Sequence, residues 1–515
     1  MLDRRDLNIS MRTTVKNKRN DIPWRSIRDT VFNIQARIYK STRYTNLKKT
    51  RNLQRLLFSS KSAKLLSIHQ SVGSDSRDYF VYTNFSKLAH LINFDIKVDE
   101  TSWPILSTNL DLDFPSLLDL IKQYLVKLVL EPEWEARFTT CDLNSFGARP
   151  GYCTHDAIQS ITQQIQNVPH QYVLKTHIIK FRYRVSRSYL IQSLQLSGFL
   201  LLGSQIGVWV RAGYLDNQEF PLFKKFSEPN LATFLFNVLL SKIPSLVQST
   251  EIDFSRFSSS NLLNIGFTRY GDIFVLSYPE ITGLVYIKRS LDKFLFPIGL
   301  VMDPVSQTLT HMVNSHTYFK PGFDFLGVSI RQQWCNKGGY SLMATPSFSN
   351  AKEHLRHIRK IVRSNKGSTA LRLIHLLNPI IQGWCYYYRY TDSLDTFGFC
   401  DFRLRLILRR WMVYRHPMKS WQWLRRKYFT YITKDTRNII KVERFFADDY
   451  RSGGIDFTNF RILSCILNRH SDTRILYWVK VDTSKSFFDN EYSYWRSRLH
   501  HYPSVDKEHF LERKE

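Results

Sequence analysis

The sequence predicts an α+β body followed by a strongly basic helical block. Between about residue 115 and residue 332, helical and strand-like runs alternate, the pattern of an α+β domain. From 348 to 430, apolar residues recur only at helical spacing: Leu355, Ile358 and Val362, then Leu373, Leu376, Leu377 and Ile380, then Leu404, Ile407, Leu408 and Trp411. The 515 residues, 43% of them hydrophobic, exceed what one compact core holds, so two to four domains are expected.

In chain order, Trp24 to about Leu66 has helical spacing (Val31, Ile34, Ile38; Leu53, Leu56, Leu57) with Lys and Arg on the other faces. Residues 70 to 110 are polar and turn-rich with weak periodicity. An amphipathic helix is expected from Pro115 to about Leu130, ended by Glu131-Pro132. Strand-like runs follow in "QYVLKTHIIKFRYRV", "IGVWVRAGY", "FTRYGDIFVLSY" and "GLVYIKRS", with a helix from Asn230 to about Ile243 between the second and third. Residues 348 to 430 read as three helices, with Asn378-Pro379 at a kink or helix start and Gly383 at a close helix approach. The remainder, to Glu515, is rich in aromatics.

The formal net charge is +29, and it is concentrated. Residues 1–70 hold 17 Lys/Arg against 4 Asp/Glu, and residues 351–430 again hold 17 against 4. Two basic regions flanking a near-neutral body suit a protein that grips an extended polyanion at two places, nucleic acid first among them. The six cysteines (Cys141, Cys153, Cys335, Cys385, Cys400, Cys465) form no Cys-x-x-Cys pair and no regular framework, which argues against a structural zinc or a disulfide scaffold and for a reducing compartment. "LSGFLLLGSQIGVWV" (Leu196–Val210) is too short and too broken by Gly and Ser to span a bilayer, so it reads as core, and no membrane partner is expected. The Arg-rich N-terminus includes Asp3 and Asp6, which weakens a transit-peptide reading.

Three stretches together resemble a group II intron maturase, the reverse-transcriptase-related protein encoded within a self-splicing intron. "LEPEWEARF" with "NSFGARPGYCTHDAI" (Leu130 to Ile158) is similar to that family's fingers motif. "GFDFLGVSIRQ" resembles the segment closing the palm. "HLRHIRKIV", "LIHLLNPIIQGWCYYYRY" and "RWMVYRHPMKSWQWLRRKYF" (His354 to Phe429) resemble the maturase domain, called X, that forms the thumb. The resemblance runs from about Trp24 to about Arg498. It implies an α+β reverse-transcriptase-like fingers/palm followed by an α-helical thumb. The implied division is a basic helical N-terminal extension (1–70), a degenerate fingers/palm (71–345), domain X (346–430) and a C-terminal extension without an endonuclease module (431–515).

Against the family's Tyr-Ala-Asp-Asp, "RYGDIFVL" places Tyr270, Gly271, Asp272 and Ile273, so the second aspartate is an isoleucine. "YVLKTHIIKFRYRV" places His177 at the first catalytic aspartate, with Lys175 and Tyr183 at two other carboxylate positions. The nucleotide-pocket motif Gly-Thr-Pro-Gln-Gly-Gly should precede the helix containing Asn237, where "KKFSEPNLATFLFN" stands instead. Polymerisation requires two magnesium ions held a few ångströms apart by shared carboxylates. One aspartate cannot hold them, His177 is a poor ligand for a hard cation, and Ile273 is no ligand. The hairpin around Asp272 therefore reads as a former polymerase site kept for structure, with no catalytic residue and no protein-bound metal.

The basic helices retain what RNA recognition needs: cations for phosphates and interleaved aromatics for splayed bases. The candidate RNA contacts are Arg356, Arg359, Lys360, Arg363, Tyr387, Arg389, Arg403, Arg409, Arg410, Arg415, His416, Lys419, Arg425, Arg426 and Lys427. Arg43, Lys48, Lys49, Arg51 and Arg55 form a second grip. Trp384 is assigned to core, and His416 to an RNA contact or a helix cap. The expected function is a splicing cofactor that binds group II intron RNA and stabilises the ribozyme, without polymerase activity and without a cofactor of its own, the magnesium belonging to the RNA. An active RNA-dependent DNA polymerase and a general organellar splicing factor are the alternatives. Family analogy places it in a plastid, with a mitochondrion next, and leaves a homodimer open.

Overall fold

The computed structural model describes residues 23–72, 117–141, 144–166, 172–178, 186–194, 203, 205–207, 209, 231–249, 265–313, 321–335, 339–433, 441–447, 466–489 and 491–501. The polar patch at 73–110, Tyr183, Cys465 and residues 224–230 of the stretch compared with the nucleotide-pocket motif lie outside them. The chain forms two compact bodies. One holds residues up to Ala157, Val173–Leu309 and the chain from Val481; the other holds Ile158–Tyr172 and Thr310–Lys480.

The first body opens with helices α1 (Trp24–Arg43), α2 (Leu47–Ser59) and α3 (Lys61–Val72), followed by the long α4 (Leu117–Cys141). Ile27, Val31, Ile38, Leu53, Leu57, Leu66, Ile68, Ile121, Leu125 and Val129 share one core among these helices. Helix α4 does not end at Glu131-Pro132 as the sequence suggested; it runs on to Cys141 with Pro132 inside. Proline lacks the N–H that would reach the Leu128 carbonyl, which should break the ladder. Here the Gln35 side-chain amide donates to that carbonyl at 2.9 Å, so the gap is filled from a neighbouring helix.

Next come α5 (Thr154–Gln166), β1 (Tyr172–His177), α6 (Arg187–Leu194), α7 (Leu231–Leu240) and α8 (Ile243–Ser249). Strands β2 (Gly266–Tyr270) and β3 (Ile273–Tyr278) form the expected hairpin, and α9 (Ile281–Ile298) and β4 (Thr308–His311) follow. The sheet order is β2-β3-β1-β4. Two stretches read as strands are helical where they are described. Of "IGVWVRAGY", the described residues 206, 207 and 209 are in helix, although Ile206 and Trp209 are buried as core. "GLVYIKRS" lies within α9, where Gly283, Leu284, Ile287, Leu291, Leu295 and Ile298 face inward at a 3–4 spacing. That longer period outweighs the local β-branched run.

In the second body an antiparallel sheet, β5 (Phe323–Phe325), β6 (Val328–Cys335) and β7 (Gly339–Pro346), leads into α10 (Phe348–Ser364), α11 (Ala370–Tyr388), α12 (Leu394–Arg415) and α13 (Trp421–Tyr428). Four helices thus stand where three were read. The hydroxyls of Ser347, Thr369 and Ser420 cap the N-termini of α10, α11 and α13. Helix α11 runs through Pro379, and a Cβ on Gly383 would meet nothing within 4 Å, so the predicted close helix approach is not there. Strands β8 (Phe429–Thr433) and β9 (Lys441–Phe445) pair after α13, and α14 (Tyr492–His501) belongs to the first body.

A buried polar chain closes the helical block. Asp401 of α12 accepts from the His470 backbone N–H and from His470 Nδ1, both at 2.8 Å, and from Ser471 N at 3.0 Å. His470 Nε2 lies 2.9 Å from Nε2 of His354, whose ring stacks on Trp384 at 4.5 Å. Burial would raise the Asp401 carboxyl, yet the bonds from His470 and Ser471 win and hold it at about 2. Burial, reinforced by His470 and His357, lowers His354 to about 3. Asn378 adds a second tie: its amide donates to Ile466 O and its oxygen accepts from Asn468 N, each at 2.9 Å.

Candidate nucleic-acid interface

At the hairpin tip, Tyr270 pairs with Ile273 across a two-residue turn whose first residue, Gly271, has φ +59°. Positive φ at that place alone matches a type II′ turn and suits glycine. The segment before α5 presses on this turn: a Cβ on Gly147 would lie 2.4 Å from Gly271 N. Behind it Arg269 is fully buried, donating to Asn237 Oδ1 at 2.7 Å, while Asn237 donates to Gly147 O at 2.6 Å. Tyr270 and Gly271 also line a cavity of about 490 Å³ with Gly147, Tyr152 and Thr233.

His177, at the end of β1, is held by its backbone: its carbonyl accepts from Asp303 N at 2.8 Å, and Ile178 N donates to Asp272 O at 2.9 Å. Burial, then Lys175, lowers the His177 ring, and Asp272 and Asp303 only partly oppose this. The imidazole is neutral at pH 7. Asp303 spends its carboxylate on the Val305 N–H at 3.0 Å. Among the described residues, no group of three or more His, Cys, Asp and Glu is arranged to hold a metal ion.

The fingers-like motif owes its residues to buried ion pairs that its sequence alone left unassigned. Glu133 receives Arg51 at 2.7 Å, Arg137 at 2.6 Å and Gln54 at 2.7 Å. Glu135 takes Arg149 in a two-pronged bond at 2.7 and 3.1 Å. Asp156 accepts from Arg498 at 2.5 Å, from Val481 N at 2.8 Å and from Cys153 N at 3.0 Å. Carboxylates this deep are tolerated because every pair is closed by hydrogen bonds. The signal available in the sequence was the run of three acids in "EPEWE" inside an apolar helix.

Of the expected N-terminal grip, Arg51 drops out, because its guanidinium is spent inside the protein on Glu133. Lys48, Lys49 and Arg55 are exposed, and Arg43, also exposed, leans on the Tyr39 hydroxyl at 3.3 Å. In the second body Arg356, Arg359, Lys360, Arg363, Arg403, Arg409, Arg410, Lys419, Arg425 and Arg426 are exposed, and Lys427 and Arg389 are half-buried. Several sit over aromatic rings: Arg403 over Phe399 at 5.4 Å, Arg409 over Trp421 at 4.9 Å, and Lys419 and Lys427 over Trp423 at 5.5 and 5.1 Å. Glu443 on β9 takes both Arg405, at 2.7 Å, and Arg425.

Three other expected contacts are engaged within the body. Tyr387 donates its hydroxyl to Leu326 O at 2.8 Å, and the exposed ring at this turn is Tyr386, 57% accessible with Arg389 5.5 Å away. His416 stands at the C-cap of α12, half-buried, and bonds the Tyr428 hydroxyl at 2.8 Å. Burial, then Lys427, Arg415 and Lys419, lowers its pKa, so it adds no charge at pH 7. Arg415 donates to the carbonyls of Gly367 and Ser368, fixing the turn between α10 and α11. Trp384 is half-buried and packs against the core residues Ala351, Leu355 and Cys400.

This helical block is the maturase-specific domain of group II introns, whose sequence profile matches residues 351–429. The profile of the N-terminal domain of reverse transcriptase matches residues 20–77. The chain thus carries a match to each of these two domain models, one near its N-terminus and one in the helical block. It is similar to "Maturase-like protein 1" of Euglena longa, 23% identical over 75% of this chain and 81% of that one, and to its Euglena gracilis namesake, 25% identical over 70% and 75%. Among solved structures, telomerase from Candida albicans in complex with a TWJ fragment of telomeric RNA is 12% identical, with a TM-score of 0.30 over 60% of this chain and 55% of that one. Apo telomerase from Candida tropicalis is 13% identical, with the same score over 57% and 49%. The chain thus spans about half the length of these structures, at scores too low to fix a fold.

Proposed function

We propose that this protein is a maturase that binds group II intron RNA through the exposed cations of α10, α12 and α13 and promotes splicing by stabilising the folded ribozyme. The observation that supports it is the surface of the maturase-specific helices: a field of exposed arginines and lysines, several backed by aromatic rings, into which Glu443 reaches. Such a surface neutralises phosphates and offers rings to unpaired bases. A protein that binds the native RNA and not the unfolded one shifts the folding equilibrium toward the native state, so binding is sufficient and no protein-borne chemistry is needed. In this reading the magnesium ions of splicing belong to the RNA.

The same reading makes DNA synthesis absent. His177 and Ile273 stand at two of the positions where carboxylates would share magnesium, and the neutral imidazole of His177 is a weak ligand for a hard cation. We place the protein in an organelle, a plastid before a mitochondrion, by analogy with intron-encoded maturases. Crosslinking in the native organelle, followed by sequencing of the bound RNA, should return one group II intron or a few. Recovery of unrelated transcripts alone would instead support a general RNA-binding role. Primer extension by the purified protein with magnesium or manganese should yield no cDNA; robust synthesis would overturn the non-catalytic reading.

A further inference from the structure

Helices α10 and α12 present matching stripes to one small groove. Arg359, Val362, Arg363 and Lys366, on α10 and just past its end, repeat at the same 0, 3, 4, 7 spacing as Ile407, Arg410, Trp411 and Tyr414 on α12. Together these eight residues line a recess of about 150 Å³. Its floor is apolar, since Val362, Ile407 and Trp411 are buried at 3%, 7% and 3% exposure. Its rim is cationic: Arg359, Arg363, Lys366 and Arg410 are all exposed, and among the described residues no carboxylate forms an ion pair with any of them. Tyr414 stands at the edge, 63% exposed, with the Lys366 ammonium 4.8 Å from its ring centre. The walls are fixed, because Trp411 Nε1 donates to Asn365 O at 3.2 Å and Arg415 anchors the following turn.

We propose that this recess takes one nucleotide splayed out of an RNA strand, its base lying on Tyr414 over the apolar floor and its flanking phosphates held by Arg359, Arg363, Lys366 and Arg410. This rests on the RNA-binding reading above and adds a subsite to it. The closed floor and small volume admit a single flat ring and exclude a duplex, whose bases stay stacked within the helix. An aromatic plate with cations around it accepts any base by its face, so the site selects unpaired nucleotides more than sequence. An acidic protein segment would satisfy the cations but leave the floor and the Tyr414 face without a flat partner.

The test uses the full chain and two hairpin RNAs, one carrying a single bulged 2-aminopurine and one fully paired. The wild type should bind the bulged RNA about tenfold more tightly and quench its fluorescence, a stacking gain of the usual size for one base. Tyr414→Ala should abolish both the preference and the quenching, and Tyr414→Trp should keep them. Arg363→Ala should weaken both RNAs alike and reduce the salt dependence by about one phosphate's worth. Equal binding of the two RNAs by the wild type, or a preference that survives Tyr414→Ala, overturns the subsite and leaves the RNA-binding reading standing. No binding of either RNA overturns both. Polyglutamate binding that depends on Arg363, with no preference for the bulge, assigns the groove to an acidic protein and overturns the proposal.

Discussion

The two basic regions hold the same number of cations and use them differently. In the N-terminal helices part of the charge is turned inward: Arg51 closes on the buried Glu133, and Lys64 is 9% exposed, its pKa lowered by burial. In α10 to α13 most cations remain at the surface, spaced along helix faces whose opposite sides form the core. The first arrangement places charge inside the fold, and the second leaves it exposed. Counting charges along a sequence cannot separate them, because the partner that internalises a guanidinium can be many positions away.

The largest expected effect comes from Glu133→Ala, which leaves the Arg51 guanidinium buried without its counter-charge and should cost about 3–5 kcal/mol in denaturant unfolding. RNA affinity measured well below the unfolding transition should stay the same. A comparable loss of affinity would mean that the N-terminal charge is not structural and would break the contrast.

Next in size is an acid dependence centred on His354 in the second body. The His354 pKa falls from 6.5 in the unfolded chain to about 3 in the fold, so the unfolded state takes up the proton first. The stabilisation is complete above pH 6.5 and is lost as pH falls from there toward 3, at no more than about 1.4 kcal/mol per pH unit. Asp401, depressed from 3.8 to about 2, adds its own loss only below 3.8. Comparing unfolding midpoints at pH 7.5 and 5 should show a drop that His354→Gln largely removes.

Removing surface charge sharpens the comparison directly. Replacing Arg356, Arg359, Lys360 and Arg363 together by alanine should flatten the salt dependence of RNA binding by about 0.7–0.9 for each phosphate no longer neutralised. Each surface change should move stability by no more than about 0.5 kcal/mol. The same treatment of Lys48, Lys49 and Arg55 should flatten it less. The smallest effect is Gly383→Ala: nothing crowds the new methyl, so the substitution should stabilise α11 by about 0.5–1 kcal/mol, read as a higher melting temperature.

Much of this was legible in the sequence because periodicity is local. The hairpin around Asp272, the buried stripes of α10 and α12 and the helical N-terminus all follow from spacing that a short window contains. What the sequence hid was non-local. Helix α4 passes Pro132 because Gln35, 93 residues before the Leu128 carbonyl it bonds, supplies the missing donor. Arg51 is internal because Glu133 is 82 residues distant, and Tyr387 is engaged because Leu326 offers a carbonyl 61 residues back. Tyr386 and Tyr387 are adjacent aromatics with opposite fates, decided by which of them the β5–β6 turn reaches.

The return of residues 466–472 to the helices has a consequence for how this domain is bounded. The stretch matched by the maturase profile stops at Phe429, yet Asp401, Asn378 and His354 inside it find their polar partners beyond that point. A fragment cut at the profile's edge would open a seam of bare polar atoms beside Trp384. The hereditary unit recognised by sequence comparison is therefore shorter than the physical unit that satisfies these polar groups.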